Sequence, residues 1–161
     1  MANTASMCTS FMGELMTSTH NFGVGPIRAA TTADTFKAAL FFTSATINAA
    51  TTAYSTTGEV TNTSGTGYTA GGVTVTNGTA PTATNSSSTA GVAYWTPTAS
   101  FSWSALTITT AFNAVLVYNS TQSNKAVAVY TFGDQTITAG TFTLTMPSNT
   151  TTTGLLRLAT T

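Results

Sequence analysis

The stretch at 112–146 constrains the fold most, because apolar strand-forming runs alternate in it with short polar links: FNAVLVYNSTQSNKAVAVYTFGDQTITAGTFTLTM. Residues 114–118 and 126–132 are apolar runs joined by a polar link at 119–124. A third run, 141–146, follows a Gly-Asp pair and an Ala-Gly pair, both of which we interpret as turns. Valine, tyrosine, phenylalanine and threonine dominate the runs and are typical of half-buried strands. The stretch therefore predicts a β-meander that supplies most of one sheet.

Five further segments have strand composition, and turn signals or loops separate most of them. They lie at 36–42, 73–76, 92–97, 101–109 and 155–158. Together with the meander they give about eight or nine strands at the spacing of a sandwich. We predict an all-β fold, a single antiparallel β-sandwich that is jelly-roll-like or immunoglobulin-like.

The first 33 residues differ in composition from the rest, so we divide the chain into an N-terminal arm at 1–33 and a β-sandwich domain at 34–161. Ser10 is a candidate N-cap for a short helix that runs through Glu14 to Met16. The helix is expected to place four apolar side chains on one face: Cys8, Met12, Leu15 and Met16. Flexible methionines suit an adaptable contact surface. The alternative, that this face packs on its own domain, is equally open.

Charge is scarce and balanced in this chain. Charged residues make up 5% of the 161 residues, and four acids offset four bases to give zero net charge. Without a basic stripe to neutralise phosphates, we expect no nucleic-acid partner. Near-zero charge promotes association, which favours a protein that assembles. The N-terminus lacks the basic region of a secretory signal, and no apolar run reaches the length of a membrane span, so we expect neither.

The residues that usually carry catalysis or bind metals are few. One histidine and one cysteine exclude multi-histidine and thiolate metal sites. His20 is interpreted as a polar residue at the start of a turn. The four acids lie beside predicted turns or element ends, which is typical of solvated or capping roles, and the glycine-rich stretch at 65–72 lacks the lysine of a phosphate loop. We therefore predict no enzymatic activity, no cofactor and no metal.

Aromatic residues on both sides of Pro97 have two interpretations. Tyr94, Trp95, Phe101 and Trp103 either bury large areas in the core or a subunit contact, or line a sugar-binding face. We favour core or interface. The candidate subunit contacts in the whole chain are Phe11, Met12, Leu15, Met16, Tyr94, Trp95 and Trp103.

The order of several segments resembles a family of small virion structural proteins of tailed bacteriophages. The segments are DTFKAALFF, TTAYSTTGEV, GTGYTAGGVTVTN, AVLVYNSTQSNKAVAVYTFG and ITAGTFTLTMP, and the resemblance spans residues 8–158. It contains no catalytic residue to transfer, and the methionine-rich N-terminus is its least characteristic part.

The resemblance implies a structural component of the virion that is made in the cytoplasm of the bacterial host. Within that class we favour a capsid decoration (cement) protein that stabilises the assembled head. Its implied partners are other virion proteins, above all the major capsid protein, and further copies of itself, most simply as a trimer. The alternatives are a tail, neck or fibre component, or a host-glycan-binding module on the particle.

Overall fold

A computed structural model describes most of the chain. The described residues are 4–16, 19–20, 22, 33–61, 67–76, 81–84 and 91–159. In chain order the elements are β1 (Thr4–Met7), α1 (Thr9–Met16), β2 (Phe36–Phe42), β3 (Val73–Thr74), β4 (Thr82–Ala83), β5 (Val92–Trp95), β6 (Phe101–Asn119), β7 (Lys125–Leu144) and β8 (Leu156–Ala159).

The strands form two antiparallel sheets. One sheet has five strands in the order β1-β7-β6-β2-β3, and the other has three in the order β4-β5-β8. This arrangement is all-β and sandwich-like, so the predicted fold class is confirmed. β6 and β7 are by far the longest strands, and their antiparallel hairpin is the centre of the larger sheet.

β2 has the bounds that its sequence predicts. Its FKAALFF run is buried at five of seven positions, since it lies between β6 and β3 and is covered on both faces. Continuous burial explains why the run is apolar throughout and does not alternate. Leu40, Phe41 and the small residues Ala38 and Ala39 have no exposed surface.

The predicted turns at 133–134 and 139–140 are wrong, because β7 continues through both pairs. Likewise, the runs predicted at 101–109 and 114–118 belong to one strand, β6. The β6–β7 register shifts several times between Trp103 and Ala114, so extra residues are absorbed as irregularities within the ladder.

The β6–β7 hairpin is sharply bent. Phe142 pairs in register with Trp103, yet its ring centroid lies 5.2 Å from that of Phe132, ten positions earlier in the same strand. Phe112 completes this cluster at 5.1 Å from Phe142. The outer end of the hairpin therefore folds back on its inner part and buries aromatic side chains between the two. Ala105 and Ala139 lie in this outer part with positive φ angles of 55° and 48°.

The beginning of the chain packs on the larger sheet. β1 pairs with β7 as an edge strand, from Thr4 opposite Thr131 to Met7 opposite Ala128. This strand was not predicted, because TASM lacks the usual strand-forming residues. A backbone hydrogen bond of 3.0 Å from Cys8 N to Val127 O continues the attachment as far as the helix.

Helix α1 confirms the predicted element, but its buried face differs from the prediction. Cys8 and Phe11 are buried and Leu15 is half-buried, whereas Met12 is 47% exposed. The prediction that Met12 shares a face with Cys8 is therefore wrong; the inner face follows positions 8, 11 and 15. The predicted cap is also wrong: α1 begins at Thr9, and Ser10 Oγ is buried without a hydrogen-bond partner among the described residues. Among all the described residues, no helix is long and apolar enough to span a membrane.

Candidate functional site

Four of the seven predicted contact residues line one apolar groove between α1 and the three-stranded sheet. The groove has a volume of about 80 Å³, and Phe11, Leu15, Tyr94 and Trp95 are among its lining residues. Leu158 also lines it and is 45% exposed. Small-molecule sites usually measure about 300–1,000 Å³. The groove therefore has room for about one apolar side chain.

The other three predicted contacts do not line this groove. Met12 is exposed on α1. Trp103 is buried and packs beside Phe142, at 5.7 Å between ring centroids, and its indole N–H has no hydrogen-bond partner in the described part of the chain. The side chain of Met16 lies outside the described residues. Since Trp95 is 2% and Trp103 4% exposed, both indoles contribute their area to the core of the chain.

A buried carboxylate joins the connections around β2. Glu59 is 2% exposed, and its Oε1 accepts hydrogen bonds from Tyr68 Oη at 2.7 Å and from Gly71 N at 2.6 Å. Its Oε2 accepts one from Tyr54 Oη at 2.7 Å. Burial, followed by the charge of Glu59, raises the pKa of Tyr118 to about 12. Burial and Glu59 likewise raise the pKa values of Tyr54 and Tyr68, so these phenols stay protonated and act as donors.

A second polar cluster holds the N-terminal residues to the β6–β7 hairpin. Glu14 Oε2 accepts a hydrogen bond of 2.7 Å from His20 Nε2, and its Oε1 accepts one of 2.6 Å from Lys125 Nζ. Burial tends to raise the pKa of Glu14, but the hydrogen bonds from Lys125 and His20 outweigh it and lower the pKa. For His20, burial lowers the pKa, although the hydrogen bond to Glu14 opposes this shift.

Asn119, at the end of β6, connects His20 to a third carboxylate. Its Nδ2 donates to His20 Nδ1 at 3.0 Å and to Asp34 Oδ2 at 2.8 Å. Its Oδ1 accepts from the backbone N–H groups of Thr121 and Gln122 at 3.1 and 3.2 Å. Asn119 therefore organises the tight turn between β6 and β7 while it binds the N-terminal part of the chain.

The remaining reactive groups are also integrated into the structure. Asp134 Oδ1 accepts a hydrogen bond of 3.2 Å from Asn113 Nδ2 on the neighbouring strand. Cys8 has no exposed surface, and burial together with the charge of Glu14 raises the pKa of its thiol to about 11. The thiolate is the reactive form of cysteine, so Cys8 is expected to be unreactive while it stays buried.

The interpretation that the acids are solvated is wrong for two of them, because Asp34 and Glu59 are 7% and 2% exposed. His20 is also buried, at 7% exposure. The clusters were missed because their members are far apart in the sequence: Lys125 lies 111 positions from Glu14. The only available signal was the presence of four carboxylates in a chain with so few charges.

The fold and these clusters define a class: a sandwich-like all-β protein in which Glu14, Asp34 and Glu59 are buried or half-buried hydrogen-bond acceptors. No group of three or more histidine, cysteine, aspartate or glutamate side chains is placed to hold a metal ion in the described ranges. The chain matches no protein-family model, no curated protein and no solved structure.

Proposed function

We propose that this chain is a structural subunit of a tailed-bacteriophage particle, and within that class a decoration protein that binds the outside of the assembled head. The observation that carries the proposal is the use of the carboxylates. Glu14, Asp34, Glu59 and Asp134 all accept hydrogen bonds from other parts of the fold. These four carboxylates thus connect separate parts of the fold, which supports a structural role for the chain.

The proposal draws its viral context from the sequence. The order of five sequence segments between residues 8 and 158 resembles that in small virion structural proteins of tailed bacteriophages. The low charge supports a subunit that packs against others, because few ions have to be desolvated when its surface is buried. We favour a trimer as the associating unit.

The apolar groove is the contact surface that we assign to the partner. Leu158 and the half-buried Leu15 and Tyr94 are available at the groove, and an apolar side chain inserted there would bury further area. A stable contact of standard size buries about 1,600 Å² in total, so the groove serves as its centre and the surrounding hydroxyl-rich surface as its rim. Stabilisation follows by mass action, because the chain binds the assembled head better than the free capsid subunits.

A reconstitution experiment tests the function. The purified chain is added to heads assembled without it, and the complex is reconstructed by electron cryomicroscopy and heated alongside undecorated heads. We expect density on the head lattice and a higher disruption temperature. Density only at the neck, tail or fibres supports the alternative location. Binding to host polysaccharide with a change in tryptophan fluorescence, and no binding to particles, supports the glycan-binding alternative.

Matched variants test the groove. Leu158→Asp places a charge at the groove, and Thr138→Asp places the same charge at an exposed position of β7. We expect Leu158→Asp to weaken head binding at least about tenfold and Thr138→Asp to weaken it less than about twofold, since a buried unpaired charge is costly. Equal effects of the two variants would contradict the assignment. Light scattering after size exclusion tests the trimer, and a monomer at high concentration counts against it.

A further inference from the structure

The N-terminal segment, which we define as the described residues 4–16, 19–20 and 22, is attached to the rest of the fold by strand pairing, apolar packing and polar contacts. β1 pairs along the free edge of β7 through four residues. Phe22 packs against Phe36 and Trp95, with ring centroids 4.5 and 4.8 Å apart. The polar attachment is the cluster around His20, whose side chain has no exposed surface. Strand pairing and apolar packing do not titrate, so the His20 cluster is the attachment whose strength can depend on pH.

The hydrogen bonds of His20 require one neutral tautomer. Nδ1 faces the amide Nδ2 of Asn119, which is a donor, so Nδ1 must accept. Nε2 faces the carboxylate of Glu14 and must donate. Asn119 cannot rotate its amide to offer an oxygen instead, because its Oδ1 accepts from Thr121 N and Gln122 N and its Nδ2 also donates to Asp34.

We propose that His20 is an acid-sensitive latch, and that its protonation releases the N-terminal segment from the β6–β7 hairpin. A proton on Nδ1 would set an N–H against the N–H of Asn119 and remove the bond between the segment and the turn. The charged groups that face His20 in the described part of the chain are Glu14, Asp34 and Lys125. The two carboxylates attract an imidazolium, but Lys125 already binds Glu14, and a buried cation must give up its hydration.

The direction of the pH effect follows from linkage. Burial lowers the pKa of His20 in the closed state, whereas a released histidine has an ordinary pKa of about 6.5. The open state therefore binds the proton more tightly. The contribution of His20 to closure is complete above about pH 6.5 and is lost as the pH falls from there through the lower pKa of the closed state.

Cys8 provides the readout, because it is the single cysteine and is fully buried between β1 and α1. Labelling by 4,4′-dithiodipyridine, which reacts with thiols even in mild acid, is measured at about pH 7.5 and about pH 5, each rate divided by that of a short cysteine peptide at the same pH. We expect the normalised rate of the natural chain to rise by more than about twofold at the lower pH, because the released His20 binds a proton that the closed state binds less tightly. The protection factors of the β2 amides, which correct hydrogen exchange for its intrinsic dependence on pH, should stay unchanged, and this separates release of the segment from global unfolding.

Two variants and one titration test whether His20 is the latch. His20→Gln keeps a neutral donor and acceptor, so its normalised rate should be the same at both pH values, whereas Asp134→Asn, outside the cluster, should keep the natural response. A rate change below about twofold in the natural chain, or an equal rise in His20→Gln, overturns the proposal. The single histidine also allows an NMR titration of the unmodified protein. A His20 pKa at or above about 6.5 overturns it as well, whether or not the variants fold.

Discussion

At the scale of single residues, Glu59 is the side chain on which most of the surrounding structure depends. Its carboxylate accepts from two phenols and one backbone N–H and is almost fully buried. Glu59→Ala removes the acceptor that Tyr54, Tyr68 and Gly71 share, and each unsatisfied buried group costs about 1–3 kcal/mol. We therefore expect Glu59→Ala to lower the free energy of unfolding by about 3 kcal/mol or more, as measured by urea denaturation.

The matched control for this prediction is Glu59→Gln, which keeps the shape of the side chain. Its amide oxygen can replace Oε1 toward Tyr68 and Gly71, and the Tyr54 hydroxyl can rotate to accept from the amide nitrogen. A loss of about 1 kcal/mol is expected for this variant. The hydrogen-bond interpretation is wrong if the two variants lose the same amount, because packing alone would then explain the effect.

At the scale of elements, the approach of the 67–72 connection to β2 depends on Gly72. This residue precedes β3 and has a φ of +71°, and a Cβ there would overlap the carbonyl oxygen of Ala38. Gly72→Ala should lower the free energy of unfolding by about 3 kcal/mol or more, because strain in the left-handed region adds to a clash with backbone. Gly133→Ala is the control, since a Cβ at Gly133 meets nothing within 4 Å.

For Gly133→Ala we expect a change within about 0.5 kcal/mol, as is usual at sites without special geometry. Both variants are measured by the same thermal and urea unfolding. A Gly72→Ala protein as stable as Gly133→Ala would mean that the connection can move away from β2 without cost, and that its position is not fixed by close packing.

The elements that the sequence predicts well are those whose local pattern agrees with their surroundings. β2 is a continuous apolar run because it is covered on both faces. The parts of β6 and β7 near their shared turn are apolar for the same reason, since consecutive residues there are buried. The sequence predicts turns at 133–134 and 139–140, because residue pairs that contain glycine often mark turns. In the folded chain β7 continues past both glycines, and the irregular register of its ladder with β6 absorbs the extra residues. Local composition cannot distinguish a turn from a bulge.

The candidate site was predictable only in part, and for a related reason. Tyr94 and Trp95 were identified as apolar contact residues, and the structure brings them to the same groove as Phe11 and Leu15. The polar clusters could not be predicted, since tertiary folding alone brings His20 to Asn119, 99 positions later. Sequence spacing indicates which residues share a local element, but not which distant polar groups satisfy one another when they are buried.

At the scale of the whole molecule, the scarcity of charge leads to a final prediction about assembly. The chain has four acids and four bases, and Glu14 and Lys125 already pair with each other. Contacts made by the remaining surface should depend on apolar burial and neutral hydroxyl groups, which salt screens little. The dissociation constant for self-association or head binding should therefore change less than about threefold between about 50 mM and about 500 mM NaCl.

Sedimentation equilibrium across this salt series measures the effect, with Leu158→Lys as the comparison because it adds a positive charge at the groove. Wherever that variant still associates, its affinity should depend on salt more steeply than that of the natural chain, since screening acts on the added charge. Weakening of the natural chain by more than about tenfold over the same range would show that charged groups dominate its contact. The apolar groove would then not be the centre of the interface, and the few exposed charges, beginning with Arg157, would have to be examined in its place.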